Sequence, residues 1–164
     1  MNLPRLRAFA LIAVAVLVLS ACGARKPDEP QPARLDLAIL AGADINPDAD
    51  GRPSPLLIRL YALRAKDGFA AADFFSLFEK DEQMLAADLA KREEFILQPG
   101  QTLTLPREYA PDVTFVGVMA AYRDVERSTW RGLLAVPPGA NGVLAVSAGA
   151  NSIELSLEAS GKEE

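Results

Sequence analysis

The chain has 164 residues, a length that suits one ordinary domain. Half of the residues are hydrophobic and 24% are charged, a globular balance that excludes disorder over the whole chain. There is no histidine and only one cysteine. Counting alone therefore excludes a Ser–His–Asp triad, a Cys–His dyad, a Cys/His zinc site, a His-ligated haem and an internal disulfide. A formal net charge of −5 argues against nucleic acid as a partner.

The N-terminus places Arg5 and Arg7 ahead of an apolar run from Ala8 to Leu19. A basic start, a short apolar centre and small residues behind it predict an export signal over residues 1–21. As a helix this run rises about 1.5 Å per residue and falls short of a hydrocarbon core about 30 Å thick, so it is not read as a membrane span. Leu19-Ser20-Ala21-Cys22 resembles the lipobox of bacterial lipoproteins, whose cysteine is acylated and becomes the first residue of the mature chain. Cys22 is thus the predicted lipidation site; the alternative, a free thiol, would be a liability on an exported protein. One acyl chain holds a protein only marginally, whereas the three of a mature lipoprotein anchor it stably. By resemblance to the lipoprotein sorting rule, Gly23 implies transfer to the outer membrane, where Asp would imply retention at the inner one. Once Arg5 and Arg7 leave with the signal, 15 basic and 22 acidic side chains remain, a net of −7. Lipid, not charge, must then attach the protein to an anionic membrane.

Residues 22–33 follow as a lipidated, proline-rich tether. Pro27, Pro30 and Pro32 forbid helix and favour extended polyproline geometry. A domain is predicted over residues 34–160. Leu35, Leu37 and Ile39 alternate with Asp36 and Ala38 as a strand, and residues 56–64 (LLIRLYALR) form a second, with Ile58 and Leu60 opposite Arg59 and Tyr61. Residues 94–98 and 102–105 flank the turn signal Pro99-Gly100. Residues 113–122 (VTFVGVMAAY) are almost wholly apolar, as expected of a central strand buried on both faces. Residues 129–136, 143–148 and 152–158 complete the set, the last with Ile153, Leu155 and Leu157 inward. Eight short strands separated by Gly, Pro and Asn turns predict an all-β fold, an antiparallel β-sandwich.

Residues 69–90 break that pattern. Phe74, Leu77, Phe78, Leu85 and Leu89 fall near one helical face, and Asp67-Gly68 is a plausible start. One or two short helices are expected, inserted between the second and third strands and covering a sheet edge or an open end of the sandwich. Phe75 lies off the stripe; core is expected for it rather than a surface anchor. Trp130 is expected as core, with a partner hot spot as the alternative.

Little catalytic chemistry is on offer. Asn46-Pro47-Asp48-Ala49-Asp50-Gly51 resembles the opening of a calcium loop, but position twelve is Leu57 and Pro53 and Pro55 interrupt it. The bland reading, a turn-rich loop, is favoured. Glu93-Glu94 and Asp81-Glu82 read as solvated surface, paired locally with Lys91-Arg92. No phosphate-cradling glycine loop and no nucleophile elbow occurs.

Several segments taken together carry more information. They are Asn46-Pro47-Asp48, then Gly51-Arg52-Pro53-Ser54-Pro55 with LLIRLYAL behind it, and Ala72-Asp73-Phe74-Phe75-Ser76-Leu77-Phe78. Asp88-Leu89, Arg92-Glu93-Glu94, Pro99-Gly100, Ala120-Ala121-Tyr122-Arg123-Asp124 and Trp130-Arg131 follow in order. Behind a lipobox, this set resembles the TssJ (SciN-like) lipoproteins of bacterial type VI secretion systems. The resemblance spans residues 39–136 and the signal. It implies a transthyretin-like β-sandwich with an added helical piece, an outer-membrane lipoprotein facing the periplasm, and a role in binding the periplasmic C-terminal region of TssM. With TssL these would form the envelope-spanning complex. Neither a cofactor nor catalysis is implied.

The long loop from Ala43 to Pro55 is stiffened by prolines, which lowers the ordering cost of binding. Asn46, Asp48, Asp50, Arg52 and Pro53 are its expected contribution to the partner contact. The alternative is a periplasmic lipoprotein that takes a small ligand or calcium through residues 44–55. Cys22→Ser should move the protein from membranes to the soluble periplasm without unfolding the domain, as fractionation and circular dichroism would show; sedimentation with membranes after a carbonate wash would refute the anchor.

Overall fold

The period-two alternation around Leu37 builds the strand at the centre of the molecule. In β1 (Ala33–Ala41), Leu35, Leu37 and Ile39 are buried while Arg34, Asp36 and Leu40 face outward. The structure is a computed structural model that describes residues 29–160. The signal, Cys22 and the tether as far as residue 28 lie outside the described residues. After β1 come β2 (Leu56–Leu63), α1 (Asp67–Ala71), α2 (Phe74–Leu85), β3 (Leu89–Leu97), β4 (Thr102–Tyr109), β5 (Phe115–Ala120), β6 (Arg131–Ala135), β7 (Asn141–Ala148) and β8 (Ile153–Ala159). Single 3-10 turns sit at Ala86–Asp88 and Val125–Arg127.

The strands form two four-stranded sheets, ordered β4-β1-β7-β8 and β3-β2-β5-β6. Their inward rows make one continuous core that includes Leu37, Ile39, Ile58, Val116, Val118, Leu144 and Val146. Complete burial of such side chains is the main favourable term, at about 1.5–3 kcal/mol each. The sandwich is not antiparallel throughout. β1 runs antiparallel to β4 (Leu37 opposite Leu105) but parallel to β7 (Leu37 opposite Leu144). The exception follows from connectivity: β1 and β7 both start from the same end of the sandwich, and β2 to β6 lie between them in sequence. Pro99-Gly100, the expected turn, does not close a hairpin. It carries the chain from β3 in one sheet to β4 in the other, with Gly100 at φ +74°.

The helices cover the outer face of the second sheet, which corrects the expectation of an edge or an end. Tyr61, Leu63 and Met119 point away from the main core and are buried under Phe69, Ala72, Leu77 and Leu85 in a second apolar cluster. This is why β5 reads as apolar on both faces, and why Tyr61 and Leu63 of β2, on the face opposite Ile58 and Leu60, are buried as well. Gly117 makes the fit possible: a Cβ there would come within 2.8 Å of the Phe69 ring. α2 starts at Asp73, whose carboxylate accepts from the Ser76 N–H at 3.0 Å and the Ser76 hydroxyl at 2.6 Å. It kinks at Lys80 (φ −138°, ψ 27°). Leu77 and Leu85 are buried as the helical stripe predicts, but Phe78 is 37% exposed and Phe75 is 62% exposed. Neither ring is core: Phe75 lies edge-on to Phe74, and Phe78 stacks on Phe74 with the Arg59 guanidinium over its face. Trp130 bridges both clusters, half-buried, edge-on to Phe74 at 5.3 Å.

Asp81 corrects the reading of a solvated acidic pair. It is 4% exposed and holds the helical layer to the sheet. Its carboxylate accepts from the Tyr61 hydroxyl at 3.0 Å and from Arg92 at 2.9 Å, and pairs with Arg59 at 3.2 Å. Arg59 also donates to the Phe78 carbonyl at 2.7 Å and to Glu94 at 2.8 Å. Burial, and then the Asp81 charge, raise the Tyr61 pKa well above its ordinary value, so the phenol stays a neutral donor. Asp81→Ala leaves Arg59 without its buried counter-charge and should cost about 3–5 kcal/mol in urea unfolding. Amides of α1 and α2 should exchange faster than those of β1 and β7; a loss below about 1 kcal/mol would refute this role.

Candidate functional site

The two ends of the sandwich differ. Ala33 enters at one, with Leu63, Tyr109 and Ala135. The opposite end carries residues 42–55, 98–101, 121–130 and 149–152. Nine residues of β1 at about 3.3 Å each separate the two by about 26 Å. Expected contact residues all lie at this far end, the loop pole.

Asn46 anchors the long loop there. It is 4% exposed, with φ +48°, a left-handed conformation that Asn tolerates better than most residues. Its side-chain N–H donates to the Pro55 carbonyl at 2.8 Å, and its side-chain oxygen accepts from the Arg123 backbone N–H at 2.9 Å. The residue thus closes its own loop and fastens it to the β5–β6 connection. Its backbone N–H donates to the Ala150 carbonyl at 3.1 Å, tying in a third loop. Tyr122 secures that third loop, its hydroxyl donating to the Ser152 carbonyl at 2.6 Å.

The tip is held by its own charges. Asp48 Oδ1 accepts from the backbone N–H groups of Asp50 and Arg52, both at 2.9 Å. Arg52 Nε donates to Asp48 at 2.9 Å, and another of its nitrogens donates to Asp50 at 2.8 Å. Gly51 turns the chain at φ +78°. The Arg52 backbone N–H does most to hold the Asp48 carboxyl below its ordinary pKa; partial burial opposes it, and the Arg52 guanidinium and the Asp50 N–H assist. The guanidinium lies between the two carboxylates, so a calcium ion sharing them would have to displace it. Among the described residues no group of three or more His, Cys, Asp or Glu could hold a metal.

Asp50, Gly51, Arg52 and Pro53 are exposed. Asn46 is not, and offers a partner the shape of the loop instead of its own amide. Beside the tip lies a shallow polar groove between Pro47, Asp48 and Ala49 on one side and Arg123, Asp124 and Arg127 on the other. The sequence singled out the first side only. Arg123 and Asp124 stood among the ordered motifs but not among the expected contact residues, and the place of Arg123 beside the loop depends on its bond to Asn46, 77 residues away in the chain.

Residues 33–160 match the model of a protein family described as type VI secretion lipoprotein, VasD, EvfM, TssJ. The crystal structure of the T6SS lipoprotein TssJ1 from Pseudomonas aeruginosa is similar at 34% identity and a TM-score of 0.76, over 79% of this chain and 99% of that one. Serratia marcescens Lip, a membrane bound component of the type VI secretion system, is similar at 30% identity and a TM-score of 0.70, over 79% and 99%. A chain of the structure described as the T6SS protein TssM C-terminal domain (869–1107) from EAEC is similar at 26% identity and a TM-score of 0.62, over 76% and 98%. No curated protein matches.

Asn46→Ala strands the Arg123 N–H and the Pro55 carbonyl and should cost about 1–3 kcal/mol. Exchange at the Arg123 amide should accelerate while exchange in β1 does not; unchanged protection there would show that the loop is held by something else.

Proposed function

The chain belongs to the type VI secretion lipoprotein family, and from that premise we propose that it is an adaptor, anchored by acylated Cys22 in the outer membrane and facing the periplasm. It binds the periplasmic C-terminal region of TssM through the loop pole and, with TssL joined indirectly, helps assemble the envelope-spanning membrane complex. It holds a partner in place and catalyses nothing.

The observation that carries this reading is the opposition of the two poles. The tether enters beside Tyr109, and the stiff exposed tip at Asp50–Pro53 sits at the far end of β1. A protein tied to lipid at one pole presents the other to whatever spans the periplasm. Rigid strands between the poles fix the tip, and its internal ion pairs reduce the ordering cost of docking. The EAEC structure lends support. The span 869–1107 is about 240 residues, whereas about 125 residues of the present chain cover 98% of the chain it resembles there. A chain that short is compatible with a companion of the TssM domain.

The test is titration of the mature protein against the TssM periplasmic C-terminal region. Arg52→Glu reverses the exposed charge and breaks the tip, and should weaken binding at least tenfold, about 1.4 kcal/mol. Glu158→Lys, exposed on β8 toward the opposite pole, should change it less than twofold. Equal affinity for Arg52→Glu and the native protein would remove the loop from the contact, and absence of native binding would remove the partner.

A further inference from the structure

Few large apolar side chains of this domain meet water, and those few are not scattered. Among the described residues five are exposed: Phe75, Phe78 and Met84 on α2, Ile96 on β3 and Leu40 on β1. The first four lie on one side of the molecule, the helix-covered face of the second sheet. Ile96 stands there opposite Leu57, on the same face of the β2–β3 pair as Arg59 and Glu94. Such a concentration on one face marks a contact surface more than a chance residue would.

The rings at the start of α2 are fixed in place. Phe74 stands edge-on to Trp130 at 5.3 Å, and Phe78 stacks on Phe74 at 5.6 Å with the Arg59 guanidinium 5.1 Å from its own centroid. Arg131 lies over Trp130 at 4.9 Å and donates to the Phe69 and Ala72 carbonyls. Phe75 is edge-on to Phe74 at 5.4 Å and is otherwise open to solvent. Rings already held by their neighbours lose little freedom on contact, so covering them yields more net affinity.

Location ties this face to the loop pole. Leu57 follows Pro55 at the end of the long loop, Ile96 precedes the 98–101 connection, and Trp130 ends the 121–130 segment. Met84 lies at the other end of α2. A specific interface takes on the order of 20–30 residues a side and has an apolar centre within a polar rim. The exposed tip at Asp50–Pro53 and the groove beside it offer charges, backbone and prolines, but no large apolar side chain. Phe75, Phe78 and Ile96 supply one from the adjoining face.

Charge narrows the choice of occupant. Asp81 and Glu82 of α2 are paired with Arg59 and Arg92. Asp73 and Glu79, which flank Phe75 along the helix, have no basic partner among the described residues, and the one base of α2 is Lys80 at the kink. A second copy set face to face would bring these carboxylates together, and an anionic lipid surface would meet the same repulsion. A cationic polypeptide segment would not. We propose that the partner docked at the loop pole extends onto this face, laying over Phe75, Phe78 and Ile96 a segment that carries an apolar side chain next to a Lys or Arg. The inference rests on the loop-pole reading; it makes the aromatic start of α2 the apolar centre of that contact and the tip part of its rim.

The experiment titrates the mature protein against the TssM periplasmic C-terminal region. Phe75→Ser should weaken binding about tenfold, and Ile96→Ser, which leaves α2 untouched, about threefold, both with the native melting temperature. Glu79→Lys should slow association about threefold at low salt and lose that effect at about 0.5 M salt. Native affinity in both Phe75→Ser and Ile96→Ser would overturn this face while the loop pole stands; absence of native binding would overturn both. Faster association of Glu79→Lys would overturn the basic segment. In the Cys22→Ser protein, sedimentation with phosphatidylethanolamine–phosphatidylglycerol vesicles that Phe75→Ser abolishes would assign the face to lipid instead. A dimer in analytical ultracentrifugation that Phe75→Ser dissociates would assign it to a second copy, and either result would overturn the proposal.

Discussion

Burial of β1 on both edges is the constraint on which the rest of the molecule depends. The strand is zipped to β4 on one side and to β7 on the other, and Leu37 and Ile39 have no exposure. It therefore cannot slip by one residue without turning its apolar row to solvent. The tether entry and the long loop are its two ends. Their separation and direction are consequently set by the core, not by the loops themselves. The chain belongs to a family of type VI secretion lipoproteins, and the adaptor proposed for it would use that fixed separation of the two ends.

The second constraint is that the β3-β2-β5-β6 sheet has two apolar faces. One meets the first sheet; the other needs a cover, and α1 and α2 supply it. The cover is short, five and twelve residues, and helices of that length are marginal alone. Packing of Phe69, Leu77 and Leu85 contributes most of its stability. Asp81 contributes position: three donors from β2 and β3 converge on one buried carboxylate, and other placements of the helix would leave it unpaired. The rings of Phe75 and Phe78 stay outside, held against Phe74.

The loop pole uses the same economy of polar groups. One residue, Asn46, holds three loops together, and one guanidinium, that of Arg52, pairs with both acids of the tip. The result is an exposed turn whose shape is fixed by its own hydrogen bonds and ion pairs. The opposite pole contrasts with it, since a recess there lies between the edge strands β3 and β4, with Leu60, Ala62 and Val113 among its lining.

The sequence by itself determined the positions of most strands, the two-faced apolar character of β5, the presence of a helical insertion and the family; β3 is the exception, since it begins at Leu89, inside the stretch read as helical, and not at Glu94. These depend on local periodicity, turn chemistry and ordered motifs, which neighbouring residues state directly. It also marked the 46–53 loop, since Asn, Asp, Gly and Pro at those spacings are turn residues. Tertiary structure decided what depends on distant partners: the parallel pairing of β1 with β7, the sheet crossing at Pro99-Gly100, and the face on which the helices lie. It also decided the burial of Asp81, which its charged neighbours concealed, and the exposure of Phe75, which its hydrophobicity concealed. The roles of Asn46 and Arg123 belong to the same class. A hydrogen bond between residues 77 positions apart leaves no trace in spacing, because only the closed sandwich brings them within 3 Å.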